Sequence, residues 1–340
     1  MNTAIPGPAP IIDLMDAFRR SKAMFAAVSL GVFDLLADGP LTASAIASRL
    51  GTNPSGAERL LETCAALKIL ENRGGIFSNT PEANAYLRQA SPQSLAGYIL
   101  YSNHVLYQCW GNLEDAVREG TPRWEQTFGG SGRRIFEHFF STQEKKRTFM
   151  MAMHGLGVST SPAVVRCFDL SAFRTLADLG AATGHLAIAA CEAWPQLRGI
   201  ALDMPDIVPF AEEHIAASPA RDRLSVQSGD FFSDELPPAD LYALGRVLHD
   251  WSEEKIHSLL GRIHEALPVD GGVLIAEKLI FEDRSGPLGA HLQSLSMLVV
   301  TEGKERSLSE YRGLLEAAGF VEVEGRYTGQ YLDAVLARKR

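Results

Sequence analysis

Between residues 175 and 305 the chain carries an ordered set of residues suited to holding a nucleotide-like ligand and moving a proton. Gly180-Ala181-Ala182-Thr183-Gly184 follows a short apolar run and precedes a helical stretch. A turn of small residues there presents backbone amides and a helix N-terminus to a ligand. Asp203, at the end of the next apolar run, is placed to accept both hydroxyls of a ribose or, alternatively, to cap the following helix. Ser228-Gly229-Asp230-Phe231-Phe232 would set a carboxylate and an aromatic face beside an adenine. Arg246-Val247-Leu248-His249-Asp250-Trp251 closes the fourth run. A histidine at such a strand end suits general base work, since its unperturbed pKa is about 6.5; Asp250 beside it reads equally well as a helix N-cap.

Other chemistries are excluded by spacing. Cys64, Cys109, Cys167 and Cys191 form no CxxC pair, and the nine histidines include no HExxH pair, so no metal is expected and reduced thiols are. The turn has no close GxGxxG, and with Asp230-Phe231 downstream this speaks against a nicotinamide oxidoreductase.

The positioning elements are legible in the same stretch. Thr175 to Leu179, Arg198 to Leu202, Leu224 to Ser228, Asp240 to Leu244 and Val273 to Glu277 read as strands, alternating with helices such as Leu186 to Trp194 and Glu253 to Leu267. Two late β segments, Phe320 to Val323 and Leu332 to Ala337, follow the helix Leu308 to Ala318. This is a doubly wound α/β sheet. Residues 1 to 90 read as helix, short helix, helix and hairpin, with breaks at Gly31 and Gly51, Asn53-Pro54 opening a helix, and Gly74-Gly75 turning the hairpin. That is a winged-helix pattern. A phosphate reader needs clustered Lys and Arg, but this segment holds 8 acidic and 8 basic residues and the whole chain carries a net charge of -9, so DNA binding is not expected. Neither a signal peptide nor a membrane segment is expected, and the protein reads as cytoplasmic. Residues 91 to 170 are helical and rich in aromatics and Met, including Tyr98, Trp110, Phe136, Phe139, Phe140, Phe149 and Met153, which suits an adaptable apolar pocket.

These motifs, in this order, resemble the S-adenosylmethionine-dependent small-molecule O-methyltransferases, and within them the acetylserotonin O-methyltransferase-like proteins. The resemblance rests on Gly31-Val32-Phe33-Asp34-Leu35-Leu36, Leu248-His249-Asp250-Trp251 and Thr301-Glu302-Gly303-Lys304-Glu305-Arg306-Ser307. It implies a Rossmann-like methyltransferase domain over residues 171–340, a helical linker and substrate-pocket region over 91–170, and a helical winged-helix dimerisation domain over 1–90, hence a homodimer. It implies that Gly180 contacts the methionine part of S-adenosylmethionine, Asp203 its ribose, Asp230 and Phe231 its adenine, and Arg246 its carboxylate and adenine side. His249 matches the general base, and Glu277 and Glu305 match the carboxylates flanking it. The acceptor is expected to be a small hydroxylated aromatic in a pocket drawn from Phe149, Met153, His154, Trp251, Ser296, Met297 and Val300. The pattern departs from the family at two places. Ala181 and Ala182 stand where glycines are common, and Ser296 and Val300 stand where acetylserotonin enzymes carry Asn and Gln. Losing two amides removes partners for a polar indole. The rival reading is a catalytically silent protein that binds S-adenosylmethionine.

Overall fold

The computed structural model describes residues 7–129 and 142–340; Met1 to Pro6, Phe136, His138, Phe139 and Phe140 lie outside the described residues. The chain forms two compact units that divide between Val105 and Leu106.

In the first unit the helix Ala9–Ser29 stops before Gly31, which takes a positive φ. Thr42 Oγ1 accepts the Ala45 N–H and starts the helix Ala43–Leu50, which Gly51 ends in the left-handed region. Asn53 Oδ1 accepts from Gly56, and Pro54 opens the helix Pro54–Ala66, as the capping preferences require. Strands β1 (Leu41–Thr42), β2 (Leu70–Arg73) and β3 (Ile76–Asn79) make a small sheet in the order β1-β3-β2, so the helices carry a β wing. Phe33, Ile46, Leu61, Cys64 and Phe77 fill this unit's core. Ile11, Leu14, Met15 and Phe18 on the first helix remain exposed.

The second unit is built on seven strands: β4 (Thr175–Leu179), β5 (Arg198–Asp203), β6 (Leu224–Ser228), β7 (Leu241–Gly245), β8 (Gly272–Glu277), β11 (Val321–Arg326) and β12 (Asp333–Arg338). Their order is β11-β12-β8-β7-β4-β5-β6. Neighbours from β8 to β6 are parallel, while β12 runs antiparallel to both β8 and β11. Parallel strands covered on both faces read as continuous apolar runs, and β8 is buried along its whole length. The chain winds outward from β4 to β6 and then crosses back to β7 on the other edge of β4. This reversal opens a crevice at the carboxyl ends of β4 and β7, where ligands bind in such sheets.

A smaller device completes the scaffold. Just beyond β8, β9 (Leu279–Ile280) pairs in parallel with β10 (Arg306–Ser307). The helix Leu288–Val300 lies on the excursion between them, and Glu305 is thereby returned beside Glu277. No helix among the described residues is long and apolar enough to cross a membrane.

Candidate active site

The crevice has two walls. On the β4 side, Gly180 adopts φ +74° and Ala182 φ +52°, and the amides of Gly180 and Ala181 donate to the Leu202 carbonyl. Asp203 fixes the turn: one carboxylate oxygen accepts the Ala182 N–H at 2.8 Å and the other accepts Met204 N–H at 2.7 Å. It therefore braces the loop rather than capping the helix Val208–Ala217, whose N-cap Ile207 makes no side-chain cap bond. Burial raises the Asp203 carboxyl to about 6 against those two bonds. The Ala181 methyl is buried among Ala201, Ala211 and Ile215, so it is absorbed by the core. A methyl added at Gly180 would meet Val247 at 3.1 Å and Phe231 at 3.4 Å, which shows how closely the third and fourth strand ends approach this turn. Asp230 accepts the Phe232 N–H, and Phe231, Phe232 and Trp251 form a run of packed rings.

On the β7 side, Arg246 is a non-glycine residue at φ +58°, a conformation that costs free energy and concentrates at functional sites. Its guanidinium lies over the Tyr331 ring. Three residues on, His249 sits in the short turn Leu248–Asp250. Its Nδ1 donates to Glu305 Oε1 at 2.6 Å and lies 3.2 Å from Glu277 Oε2. A carboxylate only accepts, so the proton on Nδ1 is fixed and Nε2 is the atom available for proton transfer. Glu277 Oε1 accepts the backbone N–H groups of Val247, Leu248 and His249 at 2.9, 3.0 and 3.4 Å, so this carboxylate also pins the turn. His249, Glu277 and Glu305 are 3%, 1% and 2% exposed. Burial alone would depress the imidazole, but Glu277, Glu305 and Asp250 outweigh it and raise His249 to about 10. Burial raises Glu277 to about 7. Asp250 is no helix cap, since Ser252 caps the helix Glu253–Ala266; its Oδ1 faces His249 Nε2 at 3.7 Å.

The three groups bring donor atoms within 4.8 Å of one another, a span that a divalent ion can bridge. The Nδ1–H of His249 already lies between the two carboxylates, 2.6 Å from Glu305 Oε1 and 3.2 Å from Glu277 Oε2, so the arrangement fits a proton better than an ion.

The expected pocket residues fall into groups. Phe149, Met153 and His154 lie on the helix Gln143–Val164, where Phe149 packs beside Met150, Ile207 and Phe210 and His154 Nδ1 bonds Thr183 Oγ1 at 2.9 Å. Ser296, Met297 and Val300 are buried on the helix Leu288–Val300. Ser296 Oγ accepts the indole N–H of Trp110 at 3.2 Å, and the Val300 carbonyl accepts that of Trp124 at 2.6 Å. Trp251 sits with Phe232 and beneath the Lys255 ammonium, on the β6 side of the crevice.

Residues 110–321 match the O-methyltransferase domain family, and residues 12–89 match the O-methyltransferase dimerisation domain. The chain belongs to the O-methyltransferase family. Acetylserotonin O-methyltransferase of Bos taurus is 43% identical over 330 residues, covering 95% of each chain, and that of Gallus gallus is 42% identical over 338 residues, covering 98% of this chain and 97% of its own. The human N-acetylserotonin methyltransferase, solved in complex with SAM, superposes with a TM-score of 0.93 at 39% identity, covering 100% of this chain and 99% of its own. PigF, solved with SAH, superposes with a TM-score of 0.88 at 29% identity over 98% of this chain and all of its own.

Three features of this O-methyltransferase were not anticipated from sequence. A methyl at Gly303 would stand 2.1 Å from the His249 carbonyl oxygen, so only glycine lets the loop carrying Glu305 lie against the turn carrying His249. Asp178, an acid inside an apolar strand, is buried, raised to about 7 by that burial, and tethers β4 to the helix His185–Ala193 through the Ala187 N–H. His154, His185 and His214 form a second histidine group: the His154 and His214 rings lie 4.1 Å apart, and His185 Nδ1 bonds Ser161 Oγ at 3.0 Å. Only the buried acid had a local signal.

Proposed function

We propose that this O-methyltransferase moves the methyl group of S-adenosylmethionine to the phenolic hydroxyl of a small aromatic molecule, with His249 as general base. The observation that carries this is the pair of buried carboxylates on His249 Nδ1, which leaves Nε2 as the atom for the acceptor's proton. Gly180 and the amides of its turn would hold the donor's methionine part, Asp203 its ribose, Asp230 and Phe231 its adenine, and Arg246 its carboxylate and adenine side. The gap that glycine leaves between Val247 and Phe231 is where a side chain would obstruct such a ligand. The donor, once bound, supplies an electrophilic sulfonium methyl.

The chain's own residues do the rest. A phenol at about 10 and an imidazolium held near the same value exchange a proton with little free-energy difference. Glu305 and Glu277 stabilise the charge that arrives on the ring, as the carboxylate does in a hydrolase triad. Most of the base is protonated in the donor-free enzyme at neutral pH, so kcat/KM for the donor rises with pH between 7 and 10. Phe149, Met153, His154, Ser296, Met297 and Val300, with Trp251 at the β6 side, would line the acceptor pocket, and residues 91–170 would act as its helical frame. A homodimer through residues 1–90 accounts for the exposed apolar face of the first helix. A silent binding protein would have no use for a glycine at 303 that packs a carboxylate against a histidine.

The test is methyl transfer to a panel of phenols and hydroxyindoles, the latter included because the relatives are named for acetylserotonin. His249→Ala should lower kcat on the order of 10²- to 10⁴-fold while donor binding persists. Failure of S-adenosylmethionine and S-adenosylhomocysteine to bind at millimolar concentration would sink the proposal.

A further inference from the structure

The cradle for the donor and the pocket of the base share a wall. Val247, against which a methyl at Gly180 would press at 3.1 Å, lies two residues before His249 in the same turn. Behind that wall the charges that face His249 come from every neighbouring element. Asp250 in the same turn, Glu277 at the end of β8 and Glu305 on the returning loop face the ring, and two guanidiniums, Arg246 of the His249 segment and Arg306 of β10, stand among these acids. Arg246 acts on both Asp250 and Glu277. Arg306, 1% exposed, donates to the carbonyls of Leu248 and Lys304 at 3.4 and 3.0 Å, and Tyr311, also buried, feels Arg306, Glu277 and Glu305 together. Three carboxylates thus stand against two guanidiniums. The imidazolium form of His249 is what makes the empty cluster neutral, and a buried cluster is held to neutrality far more strictly than a solvated one.

We propose that His249 carries a proton in the empty site and gives it up to solvent when the cationic methyl donor is seated. The inference rests on the donor reading above and adds the step that makes it workable, because a protonated ring cannot accept the phenol's proton. A positive sulfur on the other side of the Val247 wall takes over the balancing of the three acids, and two like charges in one poorly solvated site repel. Neutral His249 is then left facing the acceptor. During transfer the sulfur–methyl bond breaks, the oxygen–methyl bond forms, and the hydroxyl proton passes to Nε2. One positive charge leaves sulfur and one appears on the ring, so the cluster stays balanced. The neutral thioether product leaves the ring charged, and the next donor resets it. Donor and product differ by one methyl and one charge, so the device also separates them: only the charged ligand displaces the proton.

The experiment is calorimetric titration of the whole protein at pH 7.5 with S-adenosylmethionine and with S-adenosylhomocysteine, each in phosphate and in Tris. The dependence of the observed enthalpy on buffer ionisation counts the protons exchanged. The charged ligand should release about one proton more per site than the thioether. Protons exchanged by a ligand's own amino group persist when the ring is removed, so His249→Gln should erase the excess and leave only that background. Glu305→Gln keeps the ring but loosens its hold on the proton, and should diminish the excess in a protein whose melting curve shows it folded. Equal proton counts for the two ligands, or an excess undiminished in both folded variants, would overturn the inference while leaving the donor assignment intact. If neither ligand binds, the donor assignment fails and the inference with it.

Discussion

His249, fully buried, and the half-buried pair His154 and His185 are the same side chain in two settings with opposite outcomes. Around His249 the neighbours are Glu277, Glu305 and Asp250, and the ring is raised to about 10. Around His154 and His185 the neighbours are hydroxyls and other imidazoles, with Glu213 acting on His154 and Arg246 on His185. His154 bonds Thr183 and stacks near His214, and burial with repulsion from His214 lowers it to about 4 against the pull of Glu213; His185 bonds Ser161, and burial with repulsion from His154 and Arg246 lowers it to about 3. Burial opposes the charged ring in both places. The sign of what stands next to it decides whether such a ring is held in its charged form or kept neutral, as His154 and His185 are between the helix Gln143–Val164 and the segment that begins at Gly180.

Among changes that leave every histidine in place, the largest expected effect comes from forcing one setting toward the other. In Gly303→Ala the new methyl must push the Glu305 loop off the His249 carbonyl, so the ring loses its 2.6 Å partner and drifts toward the behaviour of His185. We expect kcat to fall by about tenfold or more, with the rise of kcat/KM for the donor moved to lower pH, both read from a pH-rate profile. An unchanged profile would mean that Glu305 does not set the ring.

The next effect is on stability and has two signs. His249 binds its proton more tightly folded than unfolded, so its contribution is fully present below about 6.5 and is lost as pH rises through about 10. His154 and His185 bind theirs less tightly folded, so they favour the folded chain above about 6.5 and that advantage is lost as pH falls toward 4 and 3. His249→Gln should therefore flatten the alkaline limb of a Tm-against-pH curve, and His185→Asn the acid limb. Variants that flatten the wrong limb would erase the contrast. The smallest effect is none: exhaustive dialysis against EDTA should leave methyl transfer unaltered, and a loss restored by a divalent ion would reassign the His249, Glu277 and Glu305 cluster.

What sequence revealed follows the range of the forces involved. The strands Thr175–Leu179 and Leu224–Ser228, the cap at Asn53 and the turn at Gly74-Gly75 are local, set by residues within a few positions, and they stand where the pattern places them. Glu305 gave no local sign of burial. Its place depends on β9 pairing with β10 and on Gly303 meeting a carbonyl 54 residues away in sequence, neither of which has a periodicity to read. The same holds for Trp110 on Ser296, which are 186 residues apart. At Asp203 and Asp250 a local alternative does not hold. Capping is a fair local reading of an acid at a strand end, yet Asp203 turns back to the Ala182 amide and Asp250 turns to the ring.

The pairing of β9 with β10 also gives the molecule a natural cassette. Residues 279–307 leave the end of β8 and close on themselves through one parallel stitch of their own, and between the two ends of that stitch lies the helix bearing Ser296, Met297 and Val300. The proton-handling carboxylates sit at the clasp, outside the helix. A chimera that exchanges residues 288–300 and keeps both ends of the clasp changes the surface offered to an acceptor while leaving Glu277 and Glu305 on His249, so on the proposed reading new acceptors can be explored on this frame without disturbing His249.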